Sequence, residues 1–312
     1  MAQGLTFTII FKAMSMNYGE SIGNISELKK LNSGEQTFTY ISRQALRYEL
    51  FRSMRENFGM DENKDSPLGV EQKVVQFKSD TNAVKYAEAD LFGYMKTEKK
   101  KGSVIRPAVV RITPGIALEP YMNDIEFGTN KNFAKRAGKD PDPFQFEHQL
   151  ALYSYTITVD LDRIGVDENN GKSIDNDEKY DRVAMVLDAV QILNREIKGR
   201  IENLNPLFVI GGVYPVKNPF FLGRIKTIYN KDKKAYQIES GLLQSVLDLE
   251  YGLNGHSFCV KDYTNIGLIS DYWANEGELN KLVGGENNDC SMNVFFRELK
   301  NKVKNFYEGT KD

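Results

Sequence analysis

The fold begins with residues 4–31, GLTFTIIFKAMSMNYGESIGNISELKKL, and residues 40–51, YISRQALRYELF. The first stretch places apolar residues at every second position, which is the period of a strand with one buried face: Leu5, Phe7, Ile9 and Phe11. After a loop rich in Asn, Gly and Ser, apolar residues recur at helical spacing, with Ser42 placed to cap the helix and Gly59 placed to end it. These patterns predict a β-α unit with an unusually long polar connection.

The composition is typical of a globular protein, because 41% of the 312 residues are hydrophobic and 27% are charged. No apolar run approaches the roughly 20 residues that a membrane span requires. The first residues lack a basic-then-apolar signal pattern, so we expect a cytoplasmic protein without a membrane partner. Cys259 and Cys290 lie far apart without C-x-x-C spacing, which predicts core thiols rather than a disulfide or a zinc site.

The net charge of −2 argues only weakly against a nucleic-acid partner, because the charges are segregated along the chain. Residues 28–55 carry six Lys/Arg and two Asp/Glu, while residues 96–139 and residues 182–234 each carry ten Lys/Arg and four Asp/Glu. Residues 160–181 carry eight acids and three bases. Such blocks predict either a basic face on a nearly neutral protein or solvated loops.

The remaining core elements complete a β-α-β-β-α-β order. Val104–Ile112 and Tyr153–Leu161 have strand patterns, a helix is expected from Asp181 through Ile197, and Leu207–Val213 is an apolar strand. This order is the ferredoxin-like arrangement that RNA-recognition modules also use. The sequence therefore predicts an α+β fold with a ferredoxin-like, RNA-recognition-motif-like palm.

We expect one domain over residues 1–312, with the palm formed by residues 5–57 and 152–213. A large insertion spans residues 60–150, because so long a connection in a compact domain has a structural or functional reason. Residues 214–312 add accessory elements, namely a hairpin of Gly223–Tyr229 with Ala235–Glu239 and two helices over Ser240–Tyr251 and Ser291–Tyr307.

Signals for catalysis, cofactors and metals are weak. The chain has two histidines, His148 and His256, whose spacing does not suggest a paired acid and base, and it has no P-loop and no strand-linked GxGxxG. The run from Asp167 resembles a calcium loop, but Gly171 falls at position five instead of six, which favours a solvated acidic loop. We therefore predict no catalytic residue, no cofactor and no bound metal.

The helix start itself is the best candidate site. Arg43 and Arg47 are four residues apart and share a helix face. Backbone N–H groups, the Ser42 hydroxyl, the Gln44 amide and two guanidinium groups would together suit a sugar-phosphate backbone. The alternative is a capped helix with solvated arginines. Tyr153 and Tyr155, by contrast, share a strand face with apolar residues, so core packing is favoured over base stacking there.

Five blocks in order carry a resemblance to a known family: NYGESIGNISELKK at 17–30, YISRQALRYEL at 40–50, DLFGYM at 90–95, RITPGIALEPY at 111–121 and LYSYTITVDLDRIG at 152–165. Together they resemble the backbone subunit of type I CRISPR Cascade complexes, in the DevR-type branch associated with subtype I-B. The resemblance covers roughly residues 5–213, and it is the combination of blocks that is specific.

The resemblance implies a non-catalytic RAMP-superfamily protein whose copies line up along the spacer of one CRISPR RNA. The family's helix-start motif falls on Ser42, Gln44 and Arg47, and we add the neighbours Arg43 and Asn17 because their chemistry fits. A thumb-like hairpin around residues 113–150 is implied, with backbone contacts from Lys131, Lys135 and Arg136. The implied partners are the guide RNA, target DNA through the guide duplex, copies of the chain itself and other Cascade subunits.

Two alternatives stay open from the sequence. One is a metal-dependent RAMP endoribonuclease that acts on target or precursor RNA with Asp124 or Asp140. The other is an assembly subunit that contacts only protein and whose basic blocks are plain surface. The basic residues Arg106, Arg111 and Lys226 are not assigned to guide, target or a neighbouring subunit.

Overall fold

The structure, a computed structural model, describes residues 3–71, 73–98, 102–253, 255–283 and 289–309. The extreme ends of the expected 1–312 domain and Lys99–Lys101 of the second basic block therefore lie outside the described residues. Within the described ranges, no helix is long and apolar enough to cross a lipid bilayer.

The described chain forms many short strands and a few longer ones. The strands of the first half are β1 Gly4–Met14, β2 Tyr18–Ile22, β3 Ile25–Leu28, β4 Lys30–Ser33, β5 Gln36–Ile41, β6 Leu68–Glu71, β7 Val74–Phe77, β8 Tyr94–Glu98, β9 Gly102–Arg106, β10 Val110–Ile112, β11 Gly115–Ala117 and β12 Asp124–Thr129. Those of the second half are β13 Pro143–His148, β14 Leu150–Asp160, β15 Val166–Asp167, β16 Lys172–Ser173, β17 Asn194–Ile197, β18 Arg200–Asn203, β19 Phe208–Tyr214, β20 Thr227–Asn230, β21 Ala235–Ile238, β22 Glu250–Leu253, β23 His256–Cys259 and β24 Thr264–Leu268.

The helices are distributed along the whole chain. They are α1 Arg43–Phe58, α2 Ala87–Phe92, α3 Lys131–Ala137, α4 Asn176–Gln191, α5 Ser240–Leu247, α6 Glu276–Val283 and α7 Met292–Glu308. Short 3₁₀ turns occupy Leu161–Arg163 and Val260–Tyr263. The mixture of helices and antiparallel strands confirms the α+β class.

The main sheet is antiparallel and has the order β24-β19-β1-β14-β11-β5-β4, with β10 also paired to β14. Strand β1 lies in the middle, between β14 and β19. Along the chain, the elements around it follow the order β1, α1, β10, β14, α4, β19. Strand β10 falls within the predicted core strand Val104–Ile112 and joins the main sheet, and β11 joins it as well, although the sequence placed the residues of β11 in a protruding insertion.

Both faces of this sheet are buried, because β1 sends alternate residues into two cores. Its odd-numbered apolar residues, including Phe7 and Ile9, pack in one core with residues of α1, α4 and α7. Ile10 points to the other side and packs in a second core with residues of α5, α6 and Trp273. Tyr153 and Tyr155 are fully buried in the first core, so the prediction of core packing is confirmed.

A second sheet has the order β12-β13-β3-β2. Strands β12 and β13 form an antiparallel hairpin that carries α3 at its tip, and β13 pairs in parallel with β3. The connection from β1 to α1 is therefore not the polar loop that the sequence predicts. It folds into β2, β3, β4 and β5, which join two different sheets.

Several predicted elements have different bounds in the structure. Val104–Ile112 is not one strand, because Pro107 cannot donate to a ladder and separates β9, which pairs with β8, from β10, which pairs with β14. The predicted helix from Asp181 starts earlier, because the Asp175 carboxylate accepts a hydrogen bond of 2.8 Å from the Glu178 N–H.

That helix also ends earlier than Ile197. Residues Asn194–Ile197 form β17, which pairs with β18 around a tight turn at Lys198 and Gly199, where φ is 50° and 78°. In the same way, Ser240–Tyr251 is not one helix, because α5 ends at Leu247 and β22 begins at Glu250.

Candidate nucleic-acid interface

The start of α1 is held in place by the segment that precedes it. Ser42 caps the helix, and its Oγ accepts a 3.3 Å hydrogen bond from the Ala45 N–H, as predicted. The Asn17 amide donates to the same Oγ at 3.1 Å, while the Asn17 carbonyl accepts from the Lys29 N–H at 2.8 Å. Asn17 is 8% exposed. The structure thus brings Asn17 and Ser42 together, and the buried Asn17 amide holds the hydroxyl that caps α1.

The other residues of the helix start point outward to different extents. Arg43 and Gln44 are exposed, whereas Arg47 is half-buried and places its guanidinium 4.9 Å from the centroid of the Phe92 ring. The Arg47 Nε is shielded from solvent and has no hydrogen-bond partner among the residues that the structure describes. Burial lowers the pKa of Arg47, with Glu88 opposing and Arg43 adding to this effect. The helix start therefore presents two guanidinium groups, of which that of Arg47 also interacts with Glu88.

A cleft of about 370 Å³ opens between this helix start and the insertion. Three arginines and several aromatic and apolar side chains line it: Arg43, Gln44, Arg47, Phe77, Phe92, Gly93, Tyr94, Met95, Arg106, Ala108, Val110 and Ile112. None of these described lining residues is acidic. The block DLFGYM contributes Phe92 to Met95, so the sequence contained this wall of the cleft, but its position beside α1 depends on the tertiary fold.

The hairpin formed by β12 and β13 carries the remaining predicted contacts. Lys131, Lys135 and Arg136 are exposed on α3 at its tip. Phe127 on β12 and Phe133 on α3 are also exposed, by 63% and 73%. Aromatic rings among cations are typical of single-strand nucleic-acid surfaces, because every base can stack on a ring. These three cations are not among the described residues that line the cleft at the start of α1; they form a second basic surface.

The root of this hairpin is tied to the segment between β1 and α1. The Glu147 carboxylate of β13 accepts from the Leu28 N–H at 2.8 Å and from Lys30 Nζ at 2.7 Å. The ring of Phe146 lies 6.0 Å from that of Tyr18, and Lys198 Nζ lies 4.5 Å from the Phe146 centroid.

His148 makes another link between β1 and the hairpin. Its Nδ1 is 2.8 Å from Ser15 Oγ and its Nε2 is 2.7 Å from a Glu126 carboxylate oxygen. Because a carboxylate only accepts, Nε2 carries a proton, and in the neutral ring Nδ1 accepts a hydrogen bond from the Ser15 hydroxyl. Ser15 is fully buried, so this arrangement resembles a triad without presenting a nucleophile to solvent.

The two acids of the endoribonuclease alternative are far apart on the hairpin. Asp124 lies opposite His148 in the β12–β13 ladder, at the root of the hairpin. Asp140 follows α3, beyond the far end of the ladder, where Thr129 lies opposite Pro143. The five steps of β12 alone separate the ends by roughly 17 Å, since a strand rises about 3.3 Å per residue. These two carboxylates do not form one paired site.

Two of the unassigned basic residues have acidic partners within the chain, Arg106 in the interior and Arg111 at the surface. The Arg106 guanidinium, 3% exposed, binds the Asp90 carboxylate and donates to the Val166 carbonyl at 2.6 Å. Arg111 makes two hydrogen bonds to Asp160, of 2.8 and 2.6 Å. Lys226 is exposed just before β20. Sequence reasoning missed Asp90 because its partners are distant in the chain.

Comparisons with known proteins agree on one family. Residues 5–234 match the model of the family described as CRISPR-associated negative auto-regulator DevR/Csa2. The CRISPR-associated protein Cas7/Cst2/DevR of Myxococcus xanthus strain DK1622 is 26% identical over 157 residues, which are 46% of this chain and 52% of that protein. The chain thus spans about half the length of this curated relative.

Solved structures of similar fold come from CRISPR assemblies. One chain of a CRISPR RNA-guided surveillance complex superposes with a TM-score of 0.55 at 15% identity, covering 96% of this chain and 99% of that chain. A chain of such a complex in a pre-nicking state covers 70% of this chain and 80% of its own length, with a TM-score of 0.48 and 13% identity. At these identities, the first match describes the shared fold.

Proposed function

This chain belongs to the DevR/Csa2 family of CRISPR-associated proteins, and from that premise we propose that it is an RNA-binding backbone subunit of a type I Cascade surveillance complex. Copies of the chain would lie side by side along the spacer of one CRISPR RNA and support pairing of that guide with target DNA. Other Cascade subunits would complete the assembly, in the cytoplasm and without a membrane partner.

One observation carries the proposal most directly: a capped helix start with two guanidinium groups, beside an open cleft without acidic lining residues among those described. Backbone N–H groups at a helix N-terminus and guanidinium groups suit phosphate oxygens. Arg43 and Gln44 are exposed there for direct contact, while Asn17 holds Ser42 in position. The cations Lys131, Lys135 and Arg136 on α3 would contact the guide at a second point.

The proposal extends to the organisation of the chain. The order β1, α1, β10, β14, α4, β19, with β1 between β14 and β19, supports a ferredoxin-like palm. The hairpin with α3 at its tip would be the thumb. In this proposal the subunit has no catalytic role, and sequence specificity comes from pairing between guide and target.

The decisive experiment is a filter-binding series of single-stranded guide RNA over several salt concentrations, with wild type and with Arg43→Ala/Arg47→Ala. Removing two phosphate contacts flattens the slope of log K against log salt by about 1.4, at about 0.7 per contact for a single strand. Arg55→Ala/Arg297→Ala is the matched control, because it removes the same charge from exposed sites elsewhere.

Circular dichroism first checks that both variants are folded, since Arg47 packs on Phe92. A flatter slope for the helix-start variant alone supports the assignment. Equal slopes of log K against log salt for all three proteins would show that the guide binds elsewhere on the chain. A wild type that binds no RNA even at low salt would refute the proposed function.

A further inference from the structure

The base of the hairpin formed by β17 and β18 is fixed to the part of the chain that leads to α1. The Arg195 guanidinium donates to the Met16 carbonyl at 2.9 Å and to the Glu49 carboxylate of α1 at 2.7 Å. Opposite Arg195 in the ladder, the Glu202 carboxylate accepts from the N–H of Met14, the last residue of β1, at 3.0 Å. Hydrogen bonds to charged groups are the stronger ones, so these contacts hold the hairpin against the main sheet and α1.

The tip of the same hairpin reaches the second sheet. Lys198 Nζ lies 4.5 Å from the centroid of the Phe146 ring and 5.1 Å from that of Tyr18. It also lies 3.5 Å from Ser26 Oγ. These three partners belong to β13, β2 and β3, which are neighbours in that sheet. Because a cation is attracted to the face of an aromatic ring, one ammonium group bridges the strands at the root of the hairpin that carries α3.

The β17–β18 hairpin thus contacts the supports of both basic surfaces. Its base holds the segment that leads to the cap of α1, and its tip holds the root of the β12–β13 hairpin. We propose that Lys198 is a positioning residue for guide RNA: it holds the β12–β13 hairpin where the α3 cations reach a guide bound at the start of α1, without contacting the RNA itself. A contact that is held in place before binding costs less entropy when the RNA binds. The inference rests on the proposed function.

The turn at Lys198 allows a variant that removes the cation and keeps the hairpin. Lys198 and Gly199 have φ of 50° and 78°, the left-handed values of a two-residue hairpin turn. Asn is favoured at such a position, so Lys198→Asn should leave the free energy of unfolding unchanged or slightly raised, which urea denaturation checks. Lys198→Arg keeps a cation over both rings. Lys234→Asn is the matched control, because Lys234 is exposed at φ 51° in the turn between β20 and β21.

Filter binding of single-stranded guide RNA at one low salt concentration tests the role of Lys198. Lys198→Asn should weaken binding by about 2- to 5-fold, the range that corresponds to the loss of an exposed cation–π contact. Lys198→Arg and Lys234→Asn should bind like wild type. In the background of Lys131→Ala/Lys135→Ala/Arg136→Ala, Lys198→Asn should have no further effect, because the contacts that Lys198 positions are already gone.

Hydrogen exchange of the free protein gives a readout that needs no RNA. The backbone amides of β13 should exchange faster in Lys198→Asn than in wild type, because the root of the hairpin has lost one of its supports. The amides of β19, a fully buried strand of the main sheet, should exchange at the same rate in both proteins.

The outcomes separate this inference from the function on which it rests. A loss of affinity that is equally large without the α3 cations overturns the inference, because Lys198 then contacts RNA directly. RNA binding like wild type by Lys198→Asn also overturns it, and faster exchange of β13 in that case would show a role in structure alone. In both cases wild type still binds RNA and the guide-binding role stands. Failure of wild type to bind RNA overturns both.

Discussion

Asp90 is a fully buried carboxylate that faces two buried guanidinium groups. It binds Arg106, and it accepts from Arg182 at 2.8 Å and from the Gly165 N–H at 2.8 Å. Asp90 sits on α2, while Arg182 sits on α4 and also donates to the Ala83 carbonyl at 2.6 Å. The cluster therefore fixes the insertion to the helices that cover the main sheet.

We predict that Asp90→Asn lowers the free energy of unfolding by about 3–5 kcal/mol, because it removes the carboxylate that binds the buried Arg106 and leaves the buried Arg182 with Glu178 alone. Urea denaturation followed by circular dichroism measures the change. Asp140→Asn is the control, since Asp140 is exposed and its loss should change stability by less than about 0.5 kcal/mol. Equal effects of the two substitutions would contradict the structural role of Asp90.

Asp160 provides a prediction about pH. Burial raises the pKa of this carboxyl, but hydrogen bonds and charge from Arg111, with help from Lys217 and Arg163, outweigh burial and hold the pKa below its usual value. A pKa that is lower in the folded state gives stability that is present above the unfolded pKa of about 3.9 and is lost as pH falls through the folded pKa.

Arg111→Gln should therefore destabilise the protein by up to about 1 kcal/mol at pH 7, because solvent partly screens the half-exposed guanidinium, and the difference from wild type should shrink as the pH falls below about 4, near the unfolded carboxyl pKa. Urea denaturation of both proteins at pH 7 and at a pH below about 4 measures the difference in the free energy of unfolding. A difference that stays constant with pH would mean that packing of Arg111, and not its charge, is what matters.

Among single residues, the sequence predicted the cap of α1 at Ser42, the end of α1 at Gly59 and the burial of Tyr153, because these depend on local spacing. It could not predict that Asn17 binds Ser42 or that Arg106 is occupied. Those contacts depend on where distant segments meet, and an arginine looks the same in a sequence whether it is solvated or buried.

Among the elements, the hairpin of β12 and β13 offers the cleanest test of a second RNA contact. Lys131→Ala/Lys135→Ala/Arg136→Ala should reduce the salt slope for single-stranded RNA by up to about 2, at about 0.7 per lost contact. All three side chains are exposed, so stability should change little. Filter binding over a salt series measures the slope.

The matched control for the hairpin is Lys231→Ala/Lys233→Ala/Lys234→Ala, which removes three cations from the turn between β20 and β21. A slope that falls equally in both variants would show that net charge, and not the hairpin, sets the affinity.

Element boundaries were predicted well where local signals are strong and poorly where pairing decides. The terminal helix α7 and the strands β1 and β19 follow their hydrophobic periods. Residues 194–197 extended the apolar pattern of α4, yet they form a strand because β18 pairs with them. The small strands β2 to β5 have no strong period, and their pairing is set by the tertiary fold.

For the whole molecule, the proposed backbone role predicts assembly that depends on RNA length. The number of protein copies per RNA should rise in steps as single-stranded RNA lengthens, because each copy covers a fixed number of nucleotides and neighbouring copies add affinity. Light scattering coupled to size-exclusion chromatography measures the mass of each complex.

Arg43→Ala/Arg47→Ala is the control for these steps and should show lower occupancy at every RNA length. One protein copy on every RNA, whatever its length, would contradict assembly along the guide and would leave a subunit that binds RNA singly.

The chain between β1 and α1 serves two basic surfaces at once. Asn17 at its beginning orients the Ser42 hydroxyl, and β3 within it forms the parallel pair with β13 at the root of the hairpin. From β3 the backbone runs back through β2 to Asn17, beside the cap of α1. One stretch of chain therefore sets both the position of the hairpin root and the position of the cap of α1.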